Sequence, residues 1–206
     1  DGLRDPAQYT RRLLELIRRA RPQARRDGFY ILVEKILGDG EAMPKLRGVD
    51  GTTGYERLNL ISHVLLDDAG LPALERTWRD FTDVRASFAD ILRTAKLRVL
   101  DTMLASEFTV LTRALGRIAA GHFSSRDFTL DRLRAALQAY VLEFPVYRTY
   151  ITAARVSDAD RQLIDGVIAR ARDNWAGPDP EIFDFLREAI TGDLANDRGY
   201  SAPRVR

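Results

Sequence analysis

One short stretch combines a carboxylate, an amine and a glycine in an order that could support catalysis. Glu34 and Lys35 follow the apolar run Phe-Tyr-Ile-Leu-Val and lead towards Gly38. A continuous apolar run rich in aromatic and β-branched residues, preceded by Gly28, predicts a buried strand over residues 29–33. Catalytic groups of α/β barrels lie at the carboxyl ends of such strands. An apolar wall beside Glu34 would disfavour its charged form, as a general acid working near neutral pH requires.

The same residues also allow simpler interpretations. Glu34 could be an ordinary charged residue that ends a strand. Lys35 alternates to the other side of the strand, where it could donate a hydrogen bond to a substrate or form a salt bridge. The local pattern therefore gives a candidate acid/base and does not decide its role.

The elements that would position these residues are mainly helices. Apolar residues recur at spacings of three and four, which predicts helices over residues 6–20, 55–66, 71–81, 84–120, 130–144, 158–175 and 181–190. Residues 38–54 are rich in Gly, Pro and Thr and predict a long ordered loop. A single buried strand leaves its backbone groups without partners. It must either pair with an unrecognised strand or belong to a sheet outside this chain.

Several side chains in these helices are expected to pack in the interior. We expect Asp5 to cap the first helix, with Pro6 at its first position. The residues predicted to face the interior of that helix are Tyr9, Leu13, Leu16 and Ile17. Both tryptophans, Trp78 and Trp175, stand at helical spacing and are also expected to pack. Ser157 is expected to cap the helix over 158–175, and Gly192 to end the helix over 181–190. Further residues are predicted to face the interior of the later helices: Phe88, Ile91, Leu92, Ala95, Val99, Met103, Phe108, Leu111, Leu115 and Ile118, then Leu133, Leu137, Tyr140 and Val141, then Ile164, Val167 and Ile168.

Composition excludes several classes of function. The 206 residues are 45% hydrophobic and 30% charged, which is typical of a soluble globular domain. Lys and Arg total 32 against 30 Asp and Glu, and aromatic residues do not alternate with the basic cluster between residues 11 and 26, so nucleic acid is not expected. The chain has no cysteine, hence no thiolate nucleophile. It shows neither a signal peptide nor an apolar run of membrane length, so we expect a cytoplasmic protein without a membrane partner.

Four motifs in fixed order make the chain resemble a known family. They are Val-Glu-Lys-Ile-Leu at 33–37, Gly-Thr-Thr-Gly-Tyr-Glu-Arg-Leu-Asn at 51–59, Ala-Ser-Glu at 105–107 and Phe-Pro-Val-Tyr-Arg-Thr-Tyr at 144–150. Together they resemble the maltooligosyl trehalose synthases of the α-amylase superfamily of glycoside hydrolases. The opening Asp1-Gly2-Leu3 resembles the end of that family's Arg-Ile-Asp-His-x-Asp-Gly-Leu segment. The motifs span roughly residues 1–150.

The resemblance implies a (β/α)8 barrel with Glu34 as acid/base at the end of the fifth strand. It also implies a retaining reaction that converts the reducing-end α-1,4 link of a maltooligosaccharide into an α,α-1,1 (trehalose) link. The family's nucleophile would lie three residues before Asp1, and no match to its third acidic residue occurs before Arg206. Position 56 is Glu where the family has Asp. The chain would thus carry one of three catalytic carboxylates, as an inactive internal fragment.

The barrel assignment makes further residues candidates for substrate binding. Lys35, Thr52, Thr53 and Tyr55 could contact a sugar through hydrogen bonds and ring stacking. Alternatively, residues 51–54 form only a turn and Thr53 caps the helix that begins at Tyr55.

Outside this loop, Tyr147 and Arg148, close to Tyr150, could line an acceptor site or could pack a helix end. His63 and His122 are isolated, so no metal is expected. Glu107 is expected to form a buried salt bridge in the middle of a helix.

We therefore expect a mainly α chain: part of an incomplete (β/α)8 barrel over residues 1–66, a helical insertion domain over 67–195 and a fraying polar tail over 196–206. The expected function is that of a fragment of an α-glucan transglycosylase. The alternative is a non-catalytic helical domain for interaction or substrate positioning. A maltooligosaccharide is the expected partner, no cofactor is expected, and the sequence does not predict an oligomeric state.

Overall fold

The computed structural model describes residues 3–22, 29–38, 40–152 and 155–205. Predictions that concern Asp1, Gly2, Arg25, Arg26 and Gly28 lie outside these residues. The chain divides into two compact units, Asp1–Asp83 and Val84–Arg206. The described part is mainly helical with a single two-stranded sheet, which confirms the predicted fold class. No helix among the described residues is long and apolar enough to cross a membrane.

The described part of the first unit contains three α-helices and the sheet. In chain order its elements are α1 (Pro6–Ala20), β1 (Leu32–Val33), β2 (Gly51–Thr52), α2 (Tyr55–Val64), a 3-10 turn (Asp68–Gly70) and α3 (Leu71–Thr82). The start of α1 is as predicted, because the Asp5 side chain accepts a hydrogen bond of 2.8 Å from the Gln8 backbone N–H. Its predicted inward face is partly wrong: Tyr9 and Leu16 are exposed, whereas Thr10 is buried.

The predicted strand is found, but it is shorter and less buried than expected. Within the described residues 29–33, only Leu32 and Val33 pair as a strand and only Ile31 is buried. The partner β2 lies inside the segment predicted as loop, and the two strands are parallel, with Leu32 opposite Gly51 and Val33 opposite Thr52. Two strand residues beside glycines carry no periodic signal, so the sequence could not reveal β2.

A reciprocal pair of hydrogen bonds extends this sheet at its amino end. The Ile31 N–H donates to Asp50 Oδ2 at 2.7 Å, and the Asp50 N–H donates to the Ile31 carbonyl at 2.8 Å. The Asp50 side chain thus satisfies a backbone donor that the short ladder would leave unpaired.

The second unit is a helical assembly. Its elements are α4 (Phe88–Asp101), α5 (Ala105–Ala119), α6 (Leu130–Glu143), α7 (Asp158–Asp173), α8 (Ile182–Thr191), a 3-10 turn (Asp193–Asn196) and α9 (Ala202–Val205). The single helix predicted over residues 84–120 is wrong, since the chain turns at residues 102–104. At this break, the Thr102 hydroxyl and N–H both donate to the Arg98 carbonyl, at 2.6 and 3.0 Å. Thr109 and Thr112 make the same side-chain bond inside the continuous helix α5, so this bond alone does not explain the break.

The core of this unit lies between α5, α6, α7 and α8. The predicted inward residues of α6 and α7 are buried with one exception, Val141, which is half-buried. The buried ones are Leu133, Leu137, Tyr140, Ile164, Val167 and Ile168. The Trp175 ring packs edge-on against Phe183, with 5.3 Å between ring centroids, so its predicted packing role is confirmed.

Other expectations about burial are wrong. Trp78 in α3 is 43% exposed, and the apolar row of α4 is exposed at Phe88, Ile91 and Leu92. The tail does not simply fray, because Tyr200 is buried and its hydroxyl shares a 2.8 Å hydrogen bond with Ser125 Oγ.

Candidate functional site

The carboxyl ends of β1 and β2 form one edge of the sheet, because the strands are parallel. Val33 is opposite Thr52, so the following residues, Glu34 and Thr53, leave the sheet at the same edge. Both residues are exposed. Their backbones are separated by roughly one strand spacing, about 5 Å. The fold therefore brings two predicted site residues together at what we call the carboxyl edge, residues 33–38 and 52–56.

Glu34 lies on the outer side of an alternating segment that continues past β1. Leu32, Glu34 and Ile36 are exposed, whereas the intervening residues Val33 and Lys35 are half-buried. This is the two-residue period of an extended chain. Glu34 thus lies between two apolar residues that are themselves exposed. The apolar environment expected to disfavour its charged form is not seen around Glu34 in the described part of the chain.

Lys35 occupies the inner side and forms a salt bridge. Its Nζ lies 2.5 Å from Glu41 Oε1, and the two side chains are only 11% and 15% exposed. Glu41 Oε2 also accepts a hydrogen bond of 3.0 Å from the Gly38 N–H. Of the two interpretations of Lys35, the salt bridge is the one formed in this structure. Substrate binding by Lys35 stays a prediction.

Thr52 is held by the turn into α2. Its hydroxyl donates to Glu56 Oε1 at 2.5 Å and accepts from the Gly54 N–H at 3.1 Å. Gly54 precedes α2 with φ +92°, in the left-handed region that favours glycine. No side chain caps α2, so the alternative role of Thr53 as a helix cap is wrong. Tyr55 begins the helix and is exposed.

Glu56 is an ionised acceptor in this turn. The hydrogen bond from Thr52, followed by the residue's own backbone N–H, lowers the pKa of the Glu56 carboxyl, and the Arg57 charge adds to this against the opposing effect of burial. Glu56 Oε2 is buried and has no hydrogen-bond partner in the described part of the chain. A carboxylate held in this way is suited to orienting Thr52 rather than to donating a proton.

Tyr147 and Arg148 lie in the second unit, in the segment after α6. Tyr147 is exposed, and the Arg148 guanidinium lies over the Tyr150 ring, 4.8 Å from its centroid. Lys96 of α4 supports the start of this segment, since its Nζ donates to the carbonyls of Leu142 and Phe144, both at 2.9 Å. Burial lowers the pKa of the Lys96 amine, and the Glu143 charge opposes this.

The remaining candidates are His63, His122 and Glu107. His63 is exposed on α2, and His122 stacks on Tyr200 with 4.8 Å between ring centroids. The expectation that Glu107 forms a buried salt bridge in the middle of a helix is wrong. Glu107 lies exposed in the first turn of α5, and a hydrogen bond from Ser106 lowers the pKa of its carboxyl. Among the described residues, no group of three or more His, Cys, Asp or Glu side chains could hold a metal.

Sequence reasoning missed three carboxylates that organise the carboxyl edge and its strands: Glu41, Glu56 and Asp50. The partners of Glu41 and Asp50 lie across loops of irregular conformation, so no periodic pattern indicates them. Glu56 lies four residues after Thr52, and that spacing was the one available signal. A surface groove is lined by residues 43–47 and 49–51, which directly precede Thr52 in the sequence.

A carboxylate and a hydroxyl-bearing loop at the carboxyl edge of parallel strands is the arrangement in which α/β folds place their ligand sites. Two relatives from Mycobacterium tuberculosis, strains CDC 1551 / Oshkosh and ATCC 25618 / H37Rv, are named provisionally as maltooligosyl trehalose synthases. Each is 34% identical to this chain over 149 residues, or 70% of the chain. The chain spans 18% of the length of these relatives.

Further comparisons add nothing to this similarity. No protein-family model matches the chain, and no solved structure matches it. The similarity therefore supports a relationship to the maltooligosyl trehalose synthases at the level of the family.

Proposed function

We propose that this chain forms part of a retaining α-glucan transglycosylase of the maltooligosyl trehalose synthase type, with Glu34 as its general acid/base. The observation that supports this most directly is the common edge of β1 and β2. Glu34 follows one strand, and the loop carrying Thr52, Thr53 and Tyr55 follows the other. Similarity to the two mycobacterial relatives supports the same assignment.

The proposed reaction has two steps. A carboxylate from another part of the enzyme attacks the anomeric carbon at the reducing-end α-1,4 link, while Glu34 donates a proton to the departing glucose oxygen. The Glu34 carboxylate then takes the proton from the anomeric hydroxyl of that glucose. The resulting oxygen nucleophile displaces the enzyme carboxylate and leaves an α,α-1,1 link.

The other candidate residues would bind the maltooligosaccharide. Thr53 and Tyr55 are exposed at the carboxyl edge and present a hydroxyl and an aromatic ring. A role of Tyr147 and Arg148 in an acceptor site stays a prediction from the sequence. Water must be excluded during the reaction, because it would otherwise hydrolyse the covalent intermediate.

The test is Glu34→Gln in the full-length enzyme that contains this chain. The amide cannot exchange the proton, so turnover of maltopentaose to trehalose-ended product should fall roughly 10²–10⁴-fold. Product is measured by chromatography, and Glu15→Gln, which changes an exposed carboxylate on α1, is the matched control. Near-normal activity of Glu34→Gln would remove Glu34 from this role. An Arg-Ile-Asp-His-x segment immediately before Asp1 in the reading frame is also expected, where x is any residue.

The exposed apolar row of α4 favours a second candidate, a non-catalytic helical domain for interaction or substrate positioning. This alternative predicts that Glu34→Gln retains turnover and that the upstream Arg-Ile-Asp-His segment is absent.

A further inference from the structure

We propose that Glu41 is a positioning residue for Glu34 and acts through its buried ion pair with Lys35. This inference rests on the proposed function, because it assumes that Glu34 is the acid/base. It assigns a task to a carboxylate that belongs to none of the four sequence motifs.

Glu41 contacts the segment that follows β1 at two residues, Lys35 and Gly38. One carboxylate oxygen contacts Lys35 Nζ at 2.5 Å, and the other accepts from the Gly38 N–H at 3.0 Å. The Glu41 N–H donates in turn to the Gly38 carbonyl at 3.0 Å. A single side chain therefore fixes the segment at two points, both after Glu34.

The alternation of the segment transmits this restraint to Glu34. Neighbouring side chains of an extended chain point to opposite sides, so an anchor on Lys35 also sets the direction of Glu34. The opposite end of the strand is fixed independently, by the reciprocal hydrogen bonds between Ile31 and Asp50. Glu34 thus lies between two anchors, although its own side chain is exposed.

Burial makes the Lys35–Glu41 pair a strong restraint. Its side chains are 11% and 15% exposed, whereas the Glu75–Arg79 pair on α3 is 58% and 34% exposed. Removal of one partner of a buried pair leaves the other charge uncompensated, while exposed pairs contribute little. The two pairs therefore provide a matched comparison.

The experiment uses the full-length enzyme, with kcat, KM for maltopentaose and the pH profile of kcat/KM as readouts. Glu41→Gln removes the charge and keeps the size of the side chain. We expect kcat to fall roughly 10–100-fold, as for a small misplacement of a catalytic group, with KM nearly unchanged. The limb of the pH profile that reports Glu34 should move. Glu75→Gln should leave all three readouts unchanged.

A charge exchange distinguishes positioning from substrate binding by Lys35. The double variant Lys35→Glu/Glu41→Lys restores the ion pair in reverse, although it loses the acceptor for Gly38. We expect the kcat of this double variant to be at least tenfold higher than that of Lys35→Glu alone. The proposal would be overturned if three results occurred together. The double variant would not recover kcat, Lys35→Gln would raise KM, and Glu41→Gln would leave the kinetics unchanged. These results would mean that Lys35 binds substrate.

Two further variants keep the outcome decisive. If Glu41→Gln does not fold, Glu41→Asp keeps the charge with a shorter reach, and an unchanged kcat and pH profile in that variant would contradict the proposal. Glu34→Gln is measured in parallel. If it is fully active, the proposed function fails and positioning of Glu34 fails with it. If it is inactive while Glu41→Gln keeps full kcat, only the inference about Glu41 fails.

Discussion

At the scale of single residues, the alternation after β1 gives Glu34 and Lys35 different surroundings. Glu34 lies on the exposed side of the segment. Lys35 lies on the inner side, where it forms a salt bridge with Glu41. The sequence predicted both the alternation and the possibility of a salt bridge. It could not predict Glu41, because a partner six residues away across an irregular loop follows no helical or strand period.

Asp193 should make the stability of the second unit depend on pH. Its carboxylate accepts two hydrogen bonds from the Arg161 guanidinium, at 2.7 and 2.9 Å, and one from Thr191 at 2.9 Å. The Arg161 hydrogen bonds lower the pKa of Asp193 in the folded state, against the opposing effect of burial. A lowered pKa adds stability that is present above the unfolded value, about 3.9, and is lost as the pH falls through the folded value.

We therefore expect Asp193→Asn to reduce the free energy of unfolding at neutral pH by about 1 kcal/mol, since the group is a third exposed. The variant should also lose less stability than the unaltered chain between about pH 5 and pH 3. Urea unfolding at both pH values measures this, with the exposed Asp173→Asn as control. Identical acid sensitivity of the two chains would contradict the assignment.

At the scale of elements, sequence reasoning succeeded where caps and periodicity coincide. Ser157 accepts a hydrogen bond from the Asp160 N–H at the start of α7, and Gly192 ends α8 with φ +78°. It failed between α4 and α5, where the helix is interrupted at residues 102–104 without any Pro or Gly nearby.

Lys96 should link α4 to the segment that carries Tyr147 and Arg148. Lys96→Met keeps the apolar stem and removes the two hydrogen bonds to the carbonyls of Leu142 and Phe144. We expect a loss of about 1 kcal/mol in the free energy of unfolding, because two half-buried carbonyls lose a charged donor. Chemical denaturation measures the loss, and the exposed Lys45→Met is the control. Equal stability of the two variants would show that the Lys96 contacts are not needed.

At the scale of the whole molecule, the helical character was predictable and the degree of burial was not. Composition and spacing indicated a mainly α chain, and the described residues bear this out. The same spacing predicted buried faces at Trp78 and along α4 that are exposed. Periodicity shows that a helix has an apolar face, but it does not show what covers that face.

The 206-residue chain alone should release no trehalose-ended product from maltopentaose. A retaining mechanism needs a nucleophilic carboxylate as well as an acid/base, and the motifs in this chain supply Glu34 alone. Chromatography of the reaction mixture, with the full-length enzyme as positive control, measures this. Turnover by the 206-residue chain would show that a second carboxylate is present within it.

The reciprocal hydrogen bonds between Ile31 and Asp50 also have a consequence for dynamics. They join residues 19 apart in the sequence and hold a ladder of only two residue pairs. Local opening requires least free energy where few buried contacts and exposed backbone hydrogen bonds hold the chain. The amides of β1 and β2 should therefore exchange with solvent well before those of α7, whose Ile164 and Val167 are fully buried. The carboxyl edge would thus open and close on its own timescale while the helical core stays folded.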